Sequence, residues 1–432
     1  MATCETKKID SNVVGLNYAV EECLGVLPNT PKWQALEPNS FSDFGGELST
    51  TQRTPLSISR QNQKGVVTDL SVKGGFNIDF TQNNLNQLLE GVFFADTRTK
   101  TNYQFTGASG DIKFASTSNI YSLTATTADF TSLGLVEGEW IFVGGDNPNE
   151  RFDTAGAFYA RVSKIEAKKL TFDNGTFKAG LSADAGASKT IKIFMGTVLK
   201  NERTTDLIKR KSYCFERTLG KDLSTNQKQA EYISGAVLGE FSLEAKQGEM
   251  LKADLSFTAT NNEYRTGVLL SDGKLTASLG ESGINTTSDI RSIRLSLVDD
   301  TNSTSTPLFA YVTEASVEVN NNLSENKALG TFGAIDVSAG NFEVSGKTTA
   351  YFTTVQAIEA VRKNADVGLY ALFATKQKGF IFDIPLVGLG GGTLNVEKDN
   401  PITLELEASG AENKFGYTMM YVNFPVLPKV AM

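Results

Sequence analysis

Histidine is absent from all 432 residues. Its absence removes the commonest general base, the commonest metal ligand and every Ser-His or Cys-His nucleophile pair. Carboxylate-only chemistry of the glycosidase kind survives that test, but nothing in the chain positions the required pair of acids. Cysteine is scarce: Cys4, Cys23 and Cys214 form an odd, scattered set without CxxC spacing. A disulfide framework is excluded, and reduced structural thiols are expected. No stretch approaches the roughly 20 apolar residues of a membrane-spanning helix. The start, Met1-Ala-Thr-Cys-Glu-Thr-Lys-Lys, lacks the apolar centre of a secretory signal, so a chain made and kept, or assembled, in a cytoplasm-like compartment is expected. Positive charge is in deficit, with 41 Lys and Arg against 49 Asp and Glu and a net charge of −8. The chain as a whole is therefore not an electrostatic nucleic-acid binder.

What is present is strand-forming sequence broken by turns: 39 glycines against 10 prolines, with Thr, Ser and Asn between the apolar runs. One pattern occurs twice, an alternating strand that runs into an amphipathic helix. Val72, Gly74, Phe76, Ile78 and Phe80 share one strand face, and Leu85, Leu88, Leu89 and Val92 then form a helical stripe behind a cap at Thr81. Val344, Gly346, Ala350 and Phe352 repeat the strand at a constant spacing of 272 residues (344 − 72), with Thr348 in place of Phe76. A cap at Thr353 or Thr354 and the stripe Ala357, Ile358, Ala360 and Val361 follow. Each copy is preceded by an alternating strand, over 42–51 and 313–321. Each is followed at a distance by a hairpin, one turning at Gln247-Gly248 and the other at Gly390-Gly391-Gly392.

These signals divide the chain. Residues 1–35 read as an N-terminal arm that docks as a strand, because Leu16, Tyr18, Val20 and Leu24 are too apolar for a free tail. Residues 36–120 and 194–265 form a first, discontinuous unit. Five short strands separated by Gly, Asp and Asn turns make residues 121–193 a small inserted all-β module. Residues 266–289 link to a second unit over 290–432. The expected fold class is mainly β, two tandem sandwich or barrel units each with one packed α-helix, plus the insertion.

The stretches Leu16-Asn-Tyr-Ala-Val-Glu-Glu-Cys-Leu-Gly-Val-Leu-Pro, Asp69-Leu-Ser-Val-Lys-Gly-Gly-Phe-Asn-Ile-Asp-Phe, Leu85-Asn-Gln-Leu-Leu-Glu-Gly-Val-Phe, Ser212-Tyr-Cys-Phe-Glu-Arg and Asn320-Asn-Asn-Leu-Ser-Glu-Asn-Lys-Ala-Leu-Gly resemble the tail tube proteins of long, non-contractile-tailed bacteriophages. The resemblance spans almost the whole chain and its motifs are structural. It implies a β-sandwich whose strands join those of neighbouring copies around a hollow tube. It also implies a virion protein assembled in the host cytoplasm, with tape measure, terminator and distal tail proteins as partners and no membrane. Two units per chain imply homotrimeric rings with pseudo-sixfold symmetry, stacked into a tube, with a homohexameric ring as the alternative. No enzyme activity, catalytic residue, metal or cofactor is expected. The rival readings are another self-assembling tail, ring or decoration protein, and a carboxylate-dependent glycan hydrolase.

A conduit for double-stranded DNA should attract phosphate weakly, since each cation on the wall adds to non-specific binding. The acid-rich strands of the second unit fit that demand. The candidates for the bore are Glu240, Glu244 and Asp254 in the first unit and Glu318, Glu343, Glu405 and Glu407 in the second, with ordinary solvated faces as the alternative. Candidates for contacts between rings are Leu16, Tyr18, Val20 and Leu24 of the arm, the basic cluster Lys209, Arg210 and Lys211, the loop 55–65 and the tail 424–432. Interleaved acids make the basic cluster a salt-bridging segment rather than a nucleic-acid site. The glycine run 388–392 lacks the GK[ST] ending of a phosphate loop.

Overall fold

A computed structural model describes residues 8–54, 56, 61–173, 177, 180–298, 306–309 and 311–431. The fold is mainly β. The chain begins with strands β1 (Gly15–Val20), β2 (Trp33–Leu36), β3 (Pro38–Thr51) and β4 (Val66–Asp79), followed by helix α1 (Asn86–Phe93). Short strands follow: β5 (Gln104–Thr106), β6 (Ile112–Thr117), β7 (Ile120–Ala125), β8 (Trp140–Val143), β9 (Phe158–Glu166), β10 (Lys169–Phe172), β11 (Lys192–Met195) and β12 (Thr197–Lys200). Then come β13 (Tyr213–Lys221), β14 (Lys228–Lys246), β15 (Lys252–Ala259), β16 (Asn261–Thr266) and β17 (Leu275–Thr276). The rest holds β18 (Ile290–Leu297), β19 (Thr306–Pro307), β20 (Val312–Asn320), β21 (Ser324–Asn326), β22 (Asp336–Ser338), β23 (Glu343–Tyr351), helix α2 (Gln356–Arg362), β24 (Val367–Thr375), β25 (Lys378–Asn395), β26 (Thr403–Gly410) and β27 (Met420–Phe424).

The pairings reveal one sandwich built twice. In the first copy the front sheet is β3-β4-β15-β14 and the back sheet β1-β13-β14-β16. In the second the front is β20-β23-β26-β25 and the back β18-β24-β25-β27. β14 and β25 are long enough to serve both layers, the first half of each in the back sheet and the second half in the front. The register matches too: Gly74 lies opposite Phe257, and Gly346 opposite Ala408. Both first front strands carry a bulge, between Pro38 and Ser40 and between Val312 and Glu314. Gly74 is required by space, since a Cβ there would come within 2.6 Å of the Phe44 Cα.

Two local expectations are corrected. α1 begins at Asn86, not directly after Thr81: the Asn84 side chain accepts from the Thr81 N–H at 3.2 Å and donates to the Asp79 carbonyl at 3.0 Å, holding a turn ahead of the helix. The glycine run is not a hairpin turn. It lies within β25, Gly392 being the extra residue of a bulge, and the reversal falls between Asn395 and Thr403. The N-terminal arm docks into its own chain, where β1 lies between β2 and β13 in the place that β18 takes in the second copy.

Alternation buries one side of each front sheet. Leu85, Leu88, Leu89 and Val92 of the α1 segment sit with Phe76, Phe80, Leu255 and Phe257 in the core, each large apolar side chain contributing about 1.5–3 kcal/mol. α2 offers less, with only Ala357 and Ala360 fully buried.

β5–β11 form a separate sheet, ordered β5-β11-β8-β9-β10-β7-β6, around Phe114, Tyr121, Phe158 and Phe172. Through Trp140, Phe142, Tyr159 and Phe194 it packs on Tyr370, Leu372, Ile381, Val422 and Phe424 of the second back sheet. At that junction the buried Arg161 reaches Asp383 at 2.9 Å and Asp173 at 3.2 Å. Burial pushes the Asp383 carboxyl up, opposed by the Arg161 charge.

Candidate functional surface

β14 also pairs with β20, so the two front sheets are one continuous surface, β3-β4-β15-β14-β20-β23-β26-β25. Phe241, Leu243, Val317, Val319, Leu404 and Leu406 point into the core. The register fixes what points the other way. Glu240 lies between Ser256 and Asn320, Ser242 between Asp254 and Glu318, and Glu244 between Lys252 and Ser316. Glu343 lies opposite Asn320, Glu407 opposite Lys347, and Glu405 opposite Thr349. Because strand side chains alternate strictly, all seven acidic candidates occupy one solvent-facing side of one sheet.

Acid prevails on that side. Lys73, Lys246, Lys252 and Lys347 share it with the seven acids and with Glu47, Asp69, Asp79 and Glu314. Lys246 reaches Glu244 at 2.6 Å and Glu314 at 3.7 Å, and Lys347 reaches Glu405 at 2.7 Å. Hydrogen bonding to Glu405, and then its charge, hold Lys347 above the usual lysine range. Glu240 accepts from Ser256 at 3.2 Å and Asn320 at 3.0 Å, and Asp254 accepts from Asn77 at 2.8 Å. Neighbouring lysines and amides keep these carboxylates tolerably close together. Among the described residues no group of three or more Cys, Asp or Glu side chains is arranged to hold a metal ion, and no helix is long and apolar enough to cross a membrane.

The ring-contact candidates lie elsewhere. Leu16 and Tyr18 are buried in β1, where the Tyr18 hydroxyl donates to Gln34 at 2.7 Å. These two side chains are spent on their own chain's core. Val20 and Leu24 are half-buried. Lys211 pairs with Glu90 at 2.5 Å and Asp96 at 2.8 Å, and Arg210 with Asp336 at 2.9 Å, while Lys209 is exposed. Of the loop 55–65, Pro55 and residues 57–60 lie outside the described residues, as does Met432 of the tail. Phe424 and Leu427 are buried among Tyr159 and its neighbours.

Two features escaped the sequence reading. The repeat starts earlier than the strand–helix pattern, at β1 and β18, and its signal was the alternation of Leu16, Tyr18 and Val20 against Ile293, Leu295 and Leu297. The free outer stretch of β25 was hidden by its glycines.

A search of curated proteins returns no match. A family model described as phage tail tube protein matches residues 11–410, taking in the first sandwich, the inserted sheet and the second sandwich up to β26. With its sandwich fold repeated along that whole span, the chain belongs to the phage tail tube protein family and is a structural protein of the virion tail.

Proposed function

We propose that this chain polymerises into stacked rings that form the tail tube and conduct double-stranded DNA from capsid to host cell. The observation that carries this reading is the continuous front sheet: two equivalent sandwiches share one β surface whose open side is acidic. In a ring of three chains the sandwiches would number six, giving pseudo-sixfold symmetry, and the acidic side would line the bore. Glu240, Glu244, Asp254, Glu318, Glu343, Glu405 and Glu407 would then keep phosphate off the wall, so that DNA passes through a layer of water without specific binding. The tandem units with their 266–289 link would be two wall segments. The β5–β11 sheet, docked on the back of the second sandwich, would sit outside the tube. Tape measure, terminator and distal tail proteins would meet the assembled tube rather than the single chain.

Negative-stain electron microscopy of the purified protein tests this. Rings or tubes with a central hole and six lobes are expected, and particles lacking a hole would refute it. Replacing Glu240, Glu318 and Glu407 together by lysine should slow DNA passage in assembled virions. Unchanged ejection would remove the acidic face from the bore.

A further inference from the structure

The internal seam between the two sandwiches specifies a second seam. In the chain, β14 of the first sandwich pairs with β20 of the second, Ser242 opposite Glu318 and Glu244 opposite Ser316. The twin of β14 is β25 and the twin of β20 is β3. Among the described residues both twins are bare on the matching side: β3 pairs only with β4, and residues 388–395 of β25 only with β26. Equivalent positions follow from the shared partners. Ser242 and Glu244 lie opposite Asp254 and Lys252, as Thr393 and Asn395 lie opposite Glu405 and Thr403. Ser316 lies opposite Lys347, as Ser42 lies opposite Gly75.

Resting on the tube reading, we propose that residues 390–395 of one copy pair antiparallel with residues 42–47 of the next, Asn395 opposite Ser42 and Thr393 opposite Gly45. Exposure supports a second copy of this chain as the occupant. Leu394 is 38 % exposed and Val396 68 %, whereas their twins at the internal seam, Leu243 and Ala245, are 4 % and 7 %. The apolar surface left open on β25 is the surface that β20 covers on β14, and Phe41 and Phe44 of β3 stand where Ala315 and Val317 of β20 do the covering. Unpaired strand edges of this length recruit strands. The glycine run also gains a role: with Gly390, Gly391 and Gly392 at the edge, backbone ladder bonds must hold most of this seam.

The test is a Ser42→Cys/Asn395→Cys double variant, oxidised mildly and run without reductant beside the unmodified protein. The two positions lie at opposite ends of the eight-strand sheet, roughly 30 Å apart, so a bond between them joins different copies. A ladder of covalent multimers ending at the closed ring is expected, at least tenfold stronger than from Ser42→Cys/Thr393→Cys. Tubes that form without this cross-link, or that link better through the shifted pair, would overturn the register and leave the tube reading standing. No rings from the unmodified protein would overturn both. Leu394→Asp should abolish rings while the circular dichroism of the folded chain is kept; rings that persist would count against the seam.

Discussion

Between helix and following strand the two sandwiches part company: Arg362 leads to Val367 through a short turn, whereas Phe93 reaches Tyr213 only after β5–β12. The second copy demonstrates that the sandwich is complete without anything at that point. The first demonstrates that an entire folded sheet can be accommodated there, because lengthening a surface connection adds little closure entropy. The added sheet does not cover the sandwich that carries it. It covers the back of the other, with apolar contacts and the Arg161–Asp383 pair. The first back sheet is instead closed by the chain near Trp33 and Leu270 and by buried Glu216, which accepts from Asn17 at 2.8 Å and Tyr232 at 2.8 Å.

The strongest way to break this arrangement is Arg161→Ala, which leaves Asp383 buried without its cation and Asp173 with Lys414 alone, at 3.4 Å. A loss of about 3–5 kcal/mol is expected in chemical denaturation, with Trp140 fluorescence reporting the junction. Loss below about 1 kcal/mol would mean that the apolar contacts alone hold the added sheet.

The two seams are compared by one leucine at twin positions. Leu243→Ala, at a covered position, should cost about 3 kcal/mol, whereas Leu394→Ala should cost the isolated chain less than about 1 kcal/mol. Equal effects would erase the distinction between inner and outer seam.

Within the added sheet, the Asp111 carboxylate accepts backbone N–H bonds from Thr126 at 2.9 Å, Thr127 at 2.7 Å and Ala128 at 2.8 Å. Burial raises its pKa, but these bonds outweigh that effect and hold it at about 2. A carboxylate depressed in this way stabilises the fold above its unfolded value and loses that contribution as pH falls toward 2. Asp111→Ala should cost about 2 kcal/mol at neutral pH and remove part of the acid sensitivity between about pH 4 and pH 2. An unchanged acid profile would refute the assignment.

The smallest effect belongs to the open face. Lys347→Ala should leave the midpoint of chemical denaturation unchanged, because its pair with Glu405 is exposed and screened. A lowered midpoint would show that the acidic strands repel one another strongly enough to need that lysine.

Much of this architecture was legible in the sequence. The alternation of Val72, Gly74, Phe76 and Ile78, matched at Val344, Gly346, Thr348 and Ala350, located the two central strands. What stayed hidden depended on non-local partners. Apolar residues 16, 18 and 20 announce a buried strand but cannot say which chain buries it. The run 388–392 looks like a turn because glycine permits one, while the actual reversal around Asp399-Asn400-Pro401 carries weaker apolar contrast. The cap at Thr81 was displaced because Asn84 offers the backbone a competing local bond.

The bulges at Asn39 and Thr313, at twin positions in the two first front strands, have a mechanical consequence. An extra residue bends its strand and increases its twist, so both sandwiches turn their first front strand at the same place despite their unlike sequences. In a hoop assembled from such sandwiches that turn would recur at every stave, within a chain as well as at the joints between chains.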